Sequence, residues 1–217
     1  MPDLPFQWNL YSSRDYFSIP SYSTGVYTSS WLSLDKPFGS SYQSGEGRTD
    51  ANGRFVIPLE DINVNDTSEL TLEVTATESG GFPVSAHAIL TVHPDSFYIG
   101  VRPQVWFGQA GSPMNFDLLT VDWEQNPLSR AIQAEFKKVR WEREDLGYGY
   151  SFTPVFTPVE SKAVTTGADG RGEVAFTPSE AGTYALEVTS ANAKTHLLLW
   201  VGGAHNDAWP NLPFDPL

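Results

Sequence analysis

Four histidines, a run of carboxylates and seven tryptophans are the side chains in this sequence best equipped for chemistry. His87, His93, His196 and His205 are scattered singly, and none belongs to a ligand spacing such as His-Glu-x-x-His. An isolated strand histidine is more often a surface or satisfied core residue than a ligand. Glu142, Glu144 and Asp145 bring carboxylates together as acid–base work would require, but an exposed acidic strand end accounts for them equally well. Asp50-Ala51-Asn52-Gly53 has the opening of a calcium loop without its further ligand or distant glutamate, so a tight Asn-Gly hairpin turn is the better account. There is no Gly-x-Ser-x-Gly elbow and no phosphate-cradling glycine loop. With no cysteine, thiol nucleophiles, disulfides and thiolate metal sites are excluded. The expectation is a protein that is not an enzyme, with no catalytic residues, no cofactor-binding residues and no metal ligands. The tryptophans divide into two sets. Trp8, Trp123, Trp141 and Trp200 fall on alternating stretches where burial is expected. Trp31, Trp106 and Trp209 do not, and are candidates for exposed rings, at a domain contact or a sugar-stacking platform.

The elements that would position these residues begin with a repeat. Thr49-Asp50-Ala51-Asn52-Gly53-Arg54 returns 117 residues later as Thr166-Gly167-Ala168-Asp169-Gly170-Arg171. Each copy leads into an apolar run, Phe55 to Leu59 and Val174 to Phe176, and then into a Leu-Glu-Val-Thr strand, at Leu72 and at Leu186. Two turns and strands in this order mean that one β-rich unit occurs twice. A chain of 217 residues then divides into two domains of the size of an Ig-like sandwich. We expect an all-β fold of two tandem Ig-like antiparallel sandwiches of seven strands, spanning 1–94 and 95–203.

In the first half, Phe6, Trp8 and Leu10 share one face of a strand, and a long Ser/Tyr/Gly-rich loop leads to a strand expected near Val26 to Leu32. Phe55 to Leu59 is expected as a short strand. Leu70 to Thr77 and Val84 to Val92 alternate cleanly, as a sheet buried on one side does. In the second half, strands are expected at Phe97 to Val101 and Met114 to Trp123. The apolar phase of the latter changes from Phe116/Leu118 to Leu119/Val121, so either both faces are covered or a bulge shifts the register. Residues 129–144 fit both a helix and a strand with a slip at Lys137-Lys138, and the repeat favours a strand. Tyr150 to Thr157 is an edge strand because of its prolines. Strands follow near Glu173 to Thr177, Thr183 to Ser190 and Thr195 to Val201. Residues 204–217 have linker composition.

The net charge is −13, with four cationic against eleven acidic residues in 1–94 and nine against fifteen in 95–217. A surface acidic throughout repels phosphate backbones, which argues against nucleic-acid partners. No apolar run approaches the ~20 residues of a membrane span, so no membrane contact by this segment is expected.

Phe97-Tyr98-Ile99-Gly100-Val101-Arg102-Pro103, Gly108-Gln109-Ala110-Gly111, Leu119-Thr120-Val121-Asp122-Trp123 with the Pro127 turn, and the closing Leu199-Trp200-Val201-Gly202-Gly203 resemble the bacterial α2-macroglobulins. The two Thr-x-Ala-Asp/Asn-Gly-Arg turns are similar to that family's sequences as well. The resemblance spans 44–203 and points to macroglobulin-type domains shortly ahead of the bait-region domain. It implies a non-catalytic structural segment of an exported protease inhibitor (periplasmic, cell-surface or extracellular). Its partners would be neighbouring domains of the parent chain, with proteases as the parent's targets. The family's thioester needs a cysteine, so it is not carried by these residues. The family domain also has two strands ahead of the one at Phe6, so the first domain is expected to lack them. The reading from another class is an Ig-like adhesin or carbohydrate-binding module.

Overall fold

The computed structural model describes residues 1–25, 41–59, 62, 64, 66–77, 80–145 and 150–203. Every regular element among them is a β-strand, as an all-β fold requires. The chain divides into two units, one comprising Met1–Tyr16 and Ser29–Pro94, the other Phe17–Thr28 and Asp95–Leu217. The second unit therefore includes a segment that the chain supplies from between two strands of the first. The strand expected near Val26 to Leu32 and the linker 204–217 lie outside the described residues.

Unit 1 is an antiparallel sheet of β1 (Pro5–Arg14), β2 (Ser41–Arg48), β3 (Ser68–Thr77) and β4 (Pro83–Val92), in the order β2-β1-β3-β4. The register sets Phe6 opposite Ala76, Trp8 opposite Val74 and Leu10 opposite Leu72, and it continues the same apolar face onto Val84, Ala86, Ala88 and Leu90. Leu10 and Leu70 are fully buried, yet Val84 and Leu90 at the β4 edge are 70% and 47% exposed. The opposite face carries Gln7, Asn9, Thr71, Glu73, Thr75 and His87. Strand β2 gives no apolar signal because glycines stand where its inward side chains would be. A Cβ on Gly45 would lie 2.8 Å from Trp8 Nε1, and one on Gly47 would lie 2.8 Å from Phe6 Cζ. The missing side chains let those rings lie across β2, the packing by which a strand glycine is compensated.

Unit 2 is a sandwich of a three-stranded and a five-stranded sheet. Strands β5 (Phe97–Pro103), β7 (Met114–Asp122) and β10 (Arg171–Phe176) are ordered β10-β7-β5. Strands β6 (Phe107–Gln109), β8 (Ala131–Asp145), β9 (Tyr150–Thr165), β11 (Gly182–Ser190) and β12 (Ala193–Gly202) are ordered β6-β12-β11-β8-β9. That makes eight strands instead of seven; the extra one, β6, is three residues long and pairs parallel with β12. The ambiguous stretch 129–144 is strand from Ala131 onward, as β8, and the register slips between Phe136 and Lys137 against β9, which lies at the sheet edge. The core between the sheets is built on Phe116, Phe136, Phe176, Tyr184, Leu186 and Leu199. Tyr184 Oη donates to the Glu180 carbonyl at 2.8 Å, the corner found where Greek-key sandwiches turn from one sheet to the other.

Strand β7 resolves the phase change in its sequence. Its pairings with β5 and β10 carry no register shift. Phe116 and Leu118 enter the main core, while Val121 and Leu119 pack on the other face with Phe17, Ile19, Tyr22 and Tyr98. Both faces are covered, and no bulge is needed.

Strand for strand, β2-β1-β3-β4 repeats β9-β8-β11-β12. The place of β10 in unit 1 belongs to Arg54–Leu59, which the sequence presents as a strand and the structure does not. In unit 2 that segment is held by its ladder with β7. Unit 1 has no counterpart of β7 among its described residues, and Val56 is 83% exposed. Without a ladder partner, β-propensity alone does not make a strand.

Candidate functional site

The two copies of the repeated turn are hydrogen-bonded alike. Asp50 N donates to Arg54 O and Gly167 N to Arg171 O, both at 2.8 Å, and Gly53 N and Gly170 N close the turns onto Asp50 O and Gly167 O at 2.9 and 3.0 Å. Both glycines have positive φ, 74° and 72°. The carboxylates of the turns face inward on the backbone. Asp50 Oδ1 accepts from Asn52 N and Arg54 N at 2.8 Å each, and Asp169 Oδ1 accepts from Arg171 N at 3.1 Å. These are turn-stabilising bonds of the kind Asp makes with the backbone just after it. They employ the acid at different turn positions in the two copies.

The threonine ahead of each turn is the fixed point. Thr49 Oγ1 accepts the Leu4 N–H at 2.9 Å, and Thr166 Oγ1 accepts the Arg130 N–H at the same distance, tying each turn to the residue that precedes β1 or β8. In unit 2 this anchor is 1% exposed. Thr166 Oγ1 lies 2.8 Å from Thr120 Oγ1, whose own proton goes to the Leu128 carbonyl. Replacing Thr166 by valine keeps the volume but strands the Arg130 N–H, so unit 2 is expected to lose about 1–3 kcal/mol. Thr49→Val, at a more exposed corner where water can substitute, should cost under about 1 kcal/mol. Denaturant midpoints of the two variants read the difference.

The densest group of charges lies on the outer face of the five-stranded sheet. Lys137 Nζ bridges Glu135 at 3.0 Å and Glu187 at 2.9 Å, and Lys194 Nζ reaches Glu187 at 3.4 Å. Burial pulls the Lys137 ammonium down, but hydrogen bonds to Glu187 and Glu135 raise it overall. Burial pushes the Glu187 carboxyl up, but the hydrogen bond from Lys137 and the field of Lys194 hold it below the ordinary value. His196 stands opposite Glu187 in the ladder, with the Phe156 ring edge-on to it and the ring centres 5.4 Å apart. Its buried Nε2 has no hydrogen-bond partner. Burial pulls the imidazole below 6.5, with Lys137 and Lys194 acting in the same direction and Glu187 opposing them. Because the folded value lies below the unfolded one, this histidine's contribution to stability is complete above about pH 6.5 and declines as the pH falls below it. Urea midpoints taken between about pH 7.5 and pH 5 should fall in the parent, and fall less in His196→Gln.

Among the described residues, no three or more His, Asp or Glu side chains are grouped as a metal site. Glu142, from the acidic run, is exposed and paired with Arg140 Nη2 at 2.7 Å. His87 lies exposed on β4, and His205 is outside the described residues. A cavity of about 590 Å³ opens beside β1 and β2, lined by Phe6, Glu46, Arg48, Thr75 and Thr77 among others. Its lining offers no nucleophile with a base.

The tryptophans depart from the expected division. Trp106 is 45% exposed, as its place outside the strands implied, but so is Trp123, at 54%. Trp123 follows the last residue of β7, and its indole N–H donates to the Asp95 carbonyl at 2.8 Å. Trp8, Trp141 and Trp200 are half-buried, not core. Trp200 lies on the outward face of β12 and stacks on the exposed Phe107 at 5.9 Å. Alternation put them on strands correctly; it does not say that the face they occupy is the inner one. Trp31 and Trp209 are outside the described residues.

Residues 100–202 match the model of bacterial macroglobulin domain 6. No match is found among the curated proteins. Among solved structures, the chain is similar to Escherichia coli α2-macroglobulin in its native conformation, at 20% identity and a TM-score of 0.59 over 93% of this chain and 14% of that one. Salmonella α2-macroglobulin reacted with methylamine gives 20% identity and a TM-score of 0.58, over 93% of this chain and 14% of that one. Trypsin-activated α2-macroglobulin from E. coli gives 21% and 0.57, over 95% and 15%. These likenesses are of fold, and the chain spans about one seventh of the length of the proteins it resembles. Residues 100–202 therefore match a bacterial macroglobulin domain, and over 93% of its length the chain shares the fold of part of a bacterial α2-macroglobulin.

Proposed function

We propose that this chain is a non-catalytic structural segment of a bacterial α2-macroglobulin-like protease inhibitor, a scaffold for conformational trapping of proteases by the parent. The match of residues 100–202 to a bacterial macroglobulin domain carries this reading. We assign 1–94 and 95–203 to two macroglobulin-like sandwich domains and 204–217 to the linker that follows. Neighbouring domains of the parent chain are the partners, and proteases are the parent's targets. Structural relatives described as activated by trypsin and by porcine elastase support that choice. The parent is exported, to the periplasm, cell surface or medium. The reactive steps belong elsewhere in the parent, since a thioester requires a cysteine and these residues contain none.

The test is to incubate the 217 residues with trypsin and with elastase and follow cleavage of a protein substrate. Protease activity should be unchanged; inhibition by this segment alone would overturn the scaffold assignment. The exposed rings of Trp106, Phe107 and Trp123 are what a carbohydrate-binding reading would use. Quenching or shifting of tryptophan fluorescence by soluble oligosaccharides would favour that reading, and no change is expected.

A further inference from the structure

Two strand edges of unit 2 end side by side. β5 is the last strand of the three-stranded sheet, and the first part of β12 extends beyond the reach of β6. An unpaired edge is a template for joining another chain, and proteins that stay apart cover it. Here the cover is the segment Phe17 to Gly25. Ser23 and Val101 exchange both backbone hydrogen bonds, at 2.9 Å each, so Ser23 occupies the place of a neighbouring strand beside β5. Two residues on, Gly25 O accepts the His196 N–H of β12 at 3.0 Å, while Gly25 N donates to Thr195 Oγ1 at 3.2 Å. Thr195, itself buried, passes its proton to the Ile99 carbonyl of β5 and completes the seam between the sheets. Pro103 ends β5 without an N–H to offer.

The side chains of the segment fit the same surface. Phe17 stacks on Tyr98 with ring centres 3.8 Å apart and planes within 5°. Ile19 is buried against Tyr98 and Val121. The guanidinium of Arg102 lies 5.0 Å from the Tyr22 ring centre. Gly100 makes the seat possible, because a Cβ there would come within 2.9 Å of Tyr22 Cβ and 3.1 Å of Ile19 Cδ1. A turn at Ile19-Pro20-Ser21-Tyr22, closed by Tyr22 N to Ile19 O at 3.0 Å with Ser21 at φ 66°, aims these residues onto the sheet.

We propose that residues 17–25 are an edge guard, whose seating keeps unit 2 from pairing through β5 and β12 with a second copy of itself. Unseating it opens two strand edges and uncovers Tyr98, Leu119 and Val121 together. The test compares the full chain with Ile19→Asp and with Phe17→Ala by hydrogen exchange and by light scattering after size exclusion. The amides of Val101 and His196, held by Ser23 O and Gly25 O, should exchange at least about tenfold faster in Ile19→Asp while the β8–β11 ladder keeps its protection. The same variant should form species heavier than the 23.9 kDa chain as concentration rises. Unchanged exchange at both amides would overturn the proposal, as would faster exchange with a mass that stays at one chain at every concentration. Should Ile19→Asp expose all ladders at once, the milder Phe17→Ala decides by the same two readouts.

Discussion

Phe136→Ala is expected to remove about 3–5 kcal/mol from unit 2, a large share of the ~5–15 kcal/mol that holds a domain together. The phenyl ring is 1% exposed. It is stacked between Phe176, at 4.8 Å and 12°, and Tyr184, at 5.0 Å and 9°, so truncation empties the middle of a three-ring column. The column joins β8, β10 and β11, which belong to both sheets, and the strands cannot close the gap without giving up ladder register. Phe136→Leu keeps most of the volume and should cost less than about 1.5 kcal/mol. Calorimetry on the two variants separates a cavity from a general intolerance of change. A loss below about 1 kcal/mol in Phe136→Ala would show that the column is not the centre of the core.

Gly170→Ala is expected to be nearly as costly, and Gly53→Ala much less so, although the two glycines occupy the same place in the repeat. Each has the left-handed φ that costs a non-glycine residue about 1–2 kcal/mol. At Gly170 the added Cβ would also fall inside van der Waals contact with the Thr120 carbonyl oxygen, which already accepts the Leu128 N–H at 2.9 Å. Pressing that backbone aside adds about 1–3 kcal/mol. At Gly53 the nearest atom is Met1 N, at 2.7 Å, in a residue that is 65% exposed at the surface. Denaturant midpoints should fall clearly further for Gly170→Ala, and equal losses would remove the steric argument.

How much of this could be read from the sequence depends on what each residue packs against. Strand β3, with one apolar and one polar face, was legible because alternation records a sheet covered on one side. Strand β7 gave a mixed signal for a physical reason: Phe116 and Leu118 meet the core while Val121 meets Ile19, whose distance in sequence hides the contact. Strand β2 was silent because its inward positions 45 and 47 hold glycine, and the apolar surface there belongs to the rings of Trp8 and Phe6. Phe55 to Leu59 gave the reverse error, since a composition suited to pairing says nothing about whether a partner strand is present. The corners were legible in type but not in function. Two copies of one turn identify a structural element, while the buried link of Thr166 to Thr120 depends on a strand 46 residues away.

The seat of residues 17–25 also sets an order of events. Gly25 and Thr195, which share a hydrogen bond, are 170 residues apart in the chain, so their contact closes a long loop. At synthesis rates of about 5–20 residues per second, the segment emerges roughly 10–30 s before the strand that receives it. β5 is made in between, so Ser23 can find Val101 before Gly25 can find His196. The seam can therefore be completed only after β12 is made, with the segment already held on β5 through Ser23. Until β5 and β7 have left the ribosome, Phe17, Ile19 and Tyr22 are an apolar stretch awaiting its sheet, the kind of segment that chaperones hold.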